Sequence, residues 1–140
     1  MLLVGRRNQH NGGMRRANDW FRQAELDVDA AATVLAGDHP EWACFIAQQA
    51  AEKAVKAVHE AEGIEAWGHS VAGLVDALSD VPERVSNAAK ALDKHYIPAR
   101  YPNAHPAGAP GDSYTRAEAE RALDEAREVL DFVRSRLPQA

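Results

Sequence analysis

The chain has 140 residues, 46% of them hydrophobic and only 6% aromatic, with a formal net charge of −5. That length suits one domain with one core, and an alanine-rich, aromatic-poor composition favours closely packed helices over a sheet. The acidic balance excludes a protein that coats nucleic acid through a broad basic face, although a small local basic site remains compatible with it. No apolar run approaches the ~18 residues of a membrane span. The single cysteine, Cys44, permits no intramolecular disulfide. A soluble, cytoplasmic protein is the expectation.

Met1 to Gly13 carries no sustained period and ends in Asn-Gly-Gly. Residues 1–14 are expected to form a disordered tail, with Met14 as an alternative natural start. Residues 15–138 are expected to fold as one helical domain. A first helix is predicted from about Asn18 to Ala36. Its apolar positions are Phe21, Ala24, Leu26, Val28, Ala31 and Leu35, with Asn18 or Asp19 as cap and Gly37 as stop. A second is predicted from Pro40 to about Glu62, ended by Gly63. On it Ala43, Ala47, Ala50, Ala54, Ala57 and Ala61 alternate spacings of four and three. Such a stripe lets a neighbouring helix approach closely. Trp42, Phe45, Ile46, Val55 and Val58 widen the apolar surface, which predicts a central helix.

Ser70 is predicted to cap a short third helix bearing Val71, Leu74, Val75 and Leu78. Pro82 opens a fourth with Val85, Ala88, Ala89 and Leu92. Thr115 and Glu118 have the spacing of a capping box. The last helix follows, with Ala119, Ala122, Leu123, Ala126, Val129, Leu130, Val133 and Leu137 on its apolar face. The fold expected is an all-α, antiparallel up-and-down bundle of four to five helices, with a long proline-rich loop before the last helix.

That loop, about Tyr96 to Tyr114, is long enough to suggest function. Its beginning, HYIPARYPNAHP from His95 to Pro106, places four residues between Arg100 and His105. Histidine titrates near neutrality and suits proton transfer. Arginine offers a permanent charge and a planar donor fork for phosphate oxygens. Taken alone, the spacing arises easily by chance and favours a stiff connector laid over the bundle.

Several segments, in order, resemble the HEPN domain family. They are NDWFRQAELDVDAA from Asn18, WACFIAQQAAEKAVKAV from Trp42, GHSVAGLVDAL from Gly68 and LDKHYIPARYP from Leu92. The resemblance extends from about Arg15 to Leu137. It implies a four- to five-helix bundle that commonly forms homodimers. Many relatives are ribonucleases of toxin–antitoxin and related systems, marked by an arginine, four to six residues, then a histidine. Other relatives bind nucleotides or proteins without cleavage. Small members are often paired with a minimal nucleotidyltransferase.

The resemblance therefore implies a nucleotide- or RNA-facing cleft, with metal-independent endoribonuclease activity as one outcome and a noncatalytic binding or interaction module as the other. Arg100 and His105 are the candidate catalytic pair. His95, Tyr96, Tyr101, Asn103 and Lys53 are the candidate nucleotide- or RNA-binding residues. Three features depart from the family motif. Tyr101 follows the arginine where active relatives carry a small polar residue, Pro102 and Pro106 oppose a helix through the motif, and no tyrosine stands two residues after His105. The histidines show no metal-ligand spacing, so neither a metal nor another cofactor is expected. The expected partners are a second copy, a nucleotidyltransferase-like protein, and RNA or a nucleotide.

Overall fold

In the computed structural model the backbone is described over residues 2–138 and the side chains over residues 16–138. The elements are α1 (Leu2–Ala36), α2 (Pro40–Glu62), α3 (Val71–Asp76), α4 (Glu83–Asp93), a 3-10 turn (Pro102–Ala104), α5 (Pro110–Ser113) and α6 (Arg116–Arg136). No strand occurs among the described residues, and the architecture is an all-α bundle.

The alanine stripe of α2 organises it. Ala43, Ala47, Ala50, Ala54, Ala57 and Ala61 are all buried. Small side chains let helix axes close on one another, and α2 packs against α1, α3, α4 and α6. Pro40 lies in the first turn, where a missing N–H breaks no helical bond, and Glu41 sits at the positive end of the dipole. Gly63 ends the helix at φ 70°, and the Ile64 N–H returns to the His59 carbonyl at 2.9 Å. A β-carbon resists that left-handed conformation, so glycine belongs there. Cys44 lies in the core, and burial pushes its thiol up to about 12, which makes it an inert small hydrophobe.

The first helix differs from its expected start. Because α1 is continuous over Leu2–Ala36, Asn18 and Asp19 lie inside it and cap nothing. Asp19 instead pairs with Arg16 at 3.2 Å. Ala24, Val28, Ala31 and Leu35 are buried as expected, whereas Leu26 is 40% exposed. At 3.6 residues per turn, Leu26 points about 200° away from both Ala24 and Val28. The side chains of residues 1–15 lie outside the described residues, so the expected tail over 1–14 stands as a proposal.

Ser70 caps α3 by accepting the Gly73 N–H at 3.0 Å. Thr115 and Glu118 form the reciprocal capping box of α6, each side chain accepting the other's N–H at 3.1 Å. The expected α6 positions from Ala119 to Val133 are buried, and Leu137 packs more loosely at the helix end. Among the described residues no helix is long and apolar enough to cross a membrane.

Candidate functional site

The proline-rich loop is anchored by the last residue of α4. The Asp93 carboxylate accepts the Val71 N–H at 2.8 Å, the Ala72 N–H at 2.9 Å and the Ser70 hydroxyl at 2.9 Å. An anion thus meets the positive end of α3. The Nε2 of fully buried Gln48 reaches the same carboxylate at 3.3 Å and the His69 carbonyl at 2.8 Å. One side chain therefore ties α4, α3 and α2 together just where the loop departs.

Prolines cannot donate, and they bias the preceding residue away from helix. Beyond Asp93 the chain accordingly runs in turns, with the Arg100 and Tyr101 N–H groups both closing on the Ile97 carbonyl, at 3.0 and 3.2 Å. The turns lay Tyr96 against His69, nearly parallel at 5.2 Å between ring centres, and against Phe45 at 6.1 Å. His69 donates from Nδ1 to the Glu52 carboxylate at 3.2 Å, and Glu52, 4% exposed, also pairs with Lys56 at 3.1 Å. Buried Gln48 and Glu52, with half-buried Gln49 beside them, therefore form the support of the loop.

Arg100 rests in an aromatic cradle. Its guanidinium carbon lies 4.4 Å from the centre of Phe45, 4.6 Å from Tyr96 and 5.0 Å from Tyr101. The Nε donates to the Tyr96 carbonyl at 2.8 Å. Among the described residues the guanidinium makes no ion pair with a carboxylate. Ring faces hold a cation without neutralising it, so the group is oriented and keeps its full charge.

His105 is held through Nε2, 2.6 Å from the Pro98 carbonyl. A carbonyl only accepts, so Nε2 carries the hydrogen and, in the neutral ring, Nδ1 keeps its lone pair. The ring meets Tyr114 edge-on, 6.2 Å between centres. The Tyr114 hydroxyl lies 3.0 Å from His95 Nδ1, and burial pushes that phenol up to about 12. Burial also lowers the His95 pKa below 6.5, partly opposed by the nearby Glu118 carboxylate. His95 faces a cleft of about 370 Å³ shared with Lys94, Glu118, Arg121 and Glu125.

The structure thus gathers Tyr96, Arg100 and Tyr101 in one cradle and places His105 on the same loop. No hydrogen bond joins Arg100 to His105. His95 meets His105 only by way of Tyr114. Asn103 is exposed on the 3-10 turn. Lys53 is turned away from the loop, pairing with Asp27 of α1 at 2.7 Å. Sequence reasoning passed over Phe45 and Tyr114 as site residues and gave Asp93 no role of its own. Phe45 follows Trp42 by three residues, a one-face spacing that was a usable signal. No group of three or more potential metal-ligating side chains occurs among the described residues.

These features define a class: a helical bundle whose second helix supports an arginine–histidine loop placed before the last helix. The chain belongs to the HEPN domain family, which it matches over residues 17–136. It is 27% identical over 138 residues to a Methanocaldococcus jannaschii protein named "Putative toxin MJ1304", covering 90% of this chain and 91% of that one. The crystal structure of TT1696 from Thermus thermophilus shares 52% identity at a TM-score of 0.86, covering 89% of this chain and all of the other. An HEPN domain protein from Thermotoga maritima shares 38% identity at a TM-score of 0.69, covering 84% and 95%.

Proposed function

We propose that this chain is a toxin-like, cytoplasmic HEPN protein whose proline-rich loop binds RNA through a phosphate and cleaves it without a metal. The observation that carries the reading is the Arg100 guanidinium, held by three rings and one carbonyl with no carboxylate paired to it. Such a group matches a phosphate fork to fork. In the reaction, His105 Nδ1 takes the proton of a ribose 2′-hydroxyl. The freed oxygen attacks the adjacent phosphorus, and the bond to the 5′-oxygen breaks as that oxygen gains a proton. The products are a 2′,3′-cyclic phosphate and a 5′-hydroxyl. Arg100 stabilises the negative charge that gathers on the phosphorus oxygens.

A second copy supplies the acid for the leaving oxygen. Trp42, Ile97 and Tyr101, between 45% and 49% exposed, form an apolar margin beside the cradle that a homodimer would cover. The toxin name of the Methanocaldococcus relative supports the biological setting. A minimal nucleotidyltransferase partner rests on family resemblance alone.

A noncatalytic binding module is the second reading. Its support is that Arg100 Nε and His105 Nε2 both serve backbone carbonyls of their own loop, with no bond between the two side chains. Incubating the protein with RNA in a metal chelator tests the choice. Cleavage that falls about 10²-fold or more in folded Arg100→Ala and His105→Ala variants supports the enzyme. A nucleotide-dependent thermal shift without cleavage supports the module.

A further inference from the structure

A second concave site lies at the opposite end of α2, away from the proline-rich loop. There the C-terminal turn of α2 and the segment from Gly63 to Trp67 enclose an open cleft of about 700 Å³ with Trp20 of α1. Three independent features give it the character of a cation site. First, His59, 1% exposed, is among the residues that line the cleft. Its Nε2 donates to the Leu74 carbonyl at 2.8 Å, which leaves Nδ1 as a buried acceptor, and Nδ1 has no partner. Buried polar atoms without partners are rare, and an acceptor is satisfied only by a donor. Second, the cleft opens at the negative end of a 23-residue helix, and the Glu60 and Glu65 carboxylates stand on its rim. Third, its walls are indoles. Lys56 already lies over the Trp20 face at 5.8 Å, with its charge matched by Glu52 at 3.1 Å. Trp67 is 78% exposed, no ring or cation stacks on it among the described residues, and its Nε1–H donates to Glu65 at 3.2 Å. That bond keeps a carboxylate beside the indole.

We infer that this cleft binds a guanidinium group, the side chain of arginine. A planar cation with several N–H donors stacks on Trp67 and pairs with Glu65 and Glu60, beside the His59 ring with its unpartnered Nδ1. A lysine ammonium has no flat face for the indole, and a phosphate meets carboxylates and a helix C-terminus. The site uses no residue of the Arg100 loop, so it stands or falls independently of the proposed cleavage.

Tryptophan fluorescence reads the site directly. Of the three tryptophans, Trp20 and Trp67 line the cleft and Trp42 does not. In a Trp42→Phe background, the probes are free arginine, N-acetylarginine amide, a glycyl-arginyl-glycine peptide, N-acetyllysine amide and guanosine. The expected result is a saturable change with the arginine probes, about fivefold tighter than with the lysine amide. Tighter binding of the peptide assigns the group to a partner polypeptide, and tighter binding of free arginine assigns it to a metabolite. Trp67→Ala and Glu65→Gln, both at exposed positions, are expected to weaken binding about fivefold or more. A linear change equal in all variants, equal affinity for the lysine amide, or saturable binding of guanosine alone overturns the inference.

Discussion

Replacing Asp93 with alanine removes an acceptor from three donors of the α3 entry, the Val71 and Ala72 N–H groups and the Ser70 hydroxyl, all within 2.9 Å. Hydrogen bonds to a charged acceptor contribute about 1.5–3 kcal/mol each. Ser70 is exposed and Ala72 partly so, and their freed donors regain water, whereas Val71 is fully buried. The expected loss is therefore about 3 kcal/mol rather than the full sum. For a chain of this size that lowers the Tm by about 10 °C. Asp93→Asn keeps one acceptor oxygen and should lose about half as much. Thermal unfolding followed by circular dichroism measures both. Hydrogen exchange adds a local readout, since residues 94–101 should lose protection once α4 is no longer tied to α3. An Asp93→Ala protein melting within about 2 °C of the parent would refute the idea that this carboxylate anchors the loop.

His95 supplies a pH test. Burial lowers its pKa below 6.5, so the unfolded chain binds the proton first as pH falls. Its contribution is fully present above pH 6.5 and is lost as pH drops through the lowered value. Glu125, raised above 4.5 by burial, works in the opposite sense at lower pH. Urea midpoints of the parent and His95→Gln should diverge least in acid and most above neutrality, and parallel curves would contradict the assignment. Removing residues 1–13, so that the chain starts at Met14, should leave the Tm within about 1 °C if the proposed tail carries no packing. A drop of several degrees would show that the first turns of α1 stabilise the bundle.

Much of the fold was legible because local chemistry and long-range packing agreed. The proline start and glycine end of α2, its alanine stripe and the Thr115–Glu118 box each rest on neighbours in sequence, and each reappears in the structure. The start of α1 did not, because Asn18 and Asp19 suit a cap and a helix interior alike when nothing before them breaks the helix. Lys53, expected among the nucleotide- or RNA-binding residues, lies five positions beyond Gln48 on α2. Five residues turn a helix by about 140° beyond a full turn, which carries Lys53 from the loop face to Asp27 of α1. Gln48 and Glu52, four apart, share the loop face as helical spacing requires. The contacts of Arg100 with Phe45 and of His95 with Tyr114 join distant parts of the chain, and only the folded backbone brings them together. The open valence of Arg100 was likewise invisible, since any of 21 acids was an available partner on paper.

The central claim is that Arg100 and His105 act on one phosphate. Its most direct measurement is the end chemistry of an RNA incubated with the protein in a metal chelator. The account predicts fragments ending in 2′,3′-cyclic phosphate and 5′-hydroxyl, formed by the parent and lost in both Arg100→Ala and His105→Ala. Intact RNA with the parent, or cleavage undiminished in either folded variant, would contradict it.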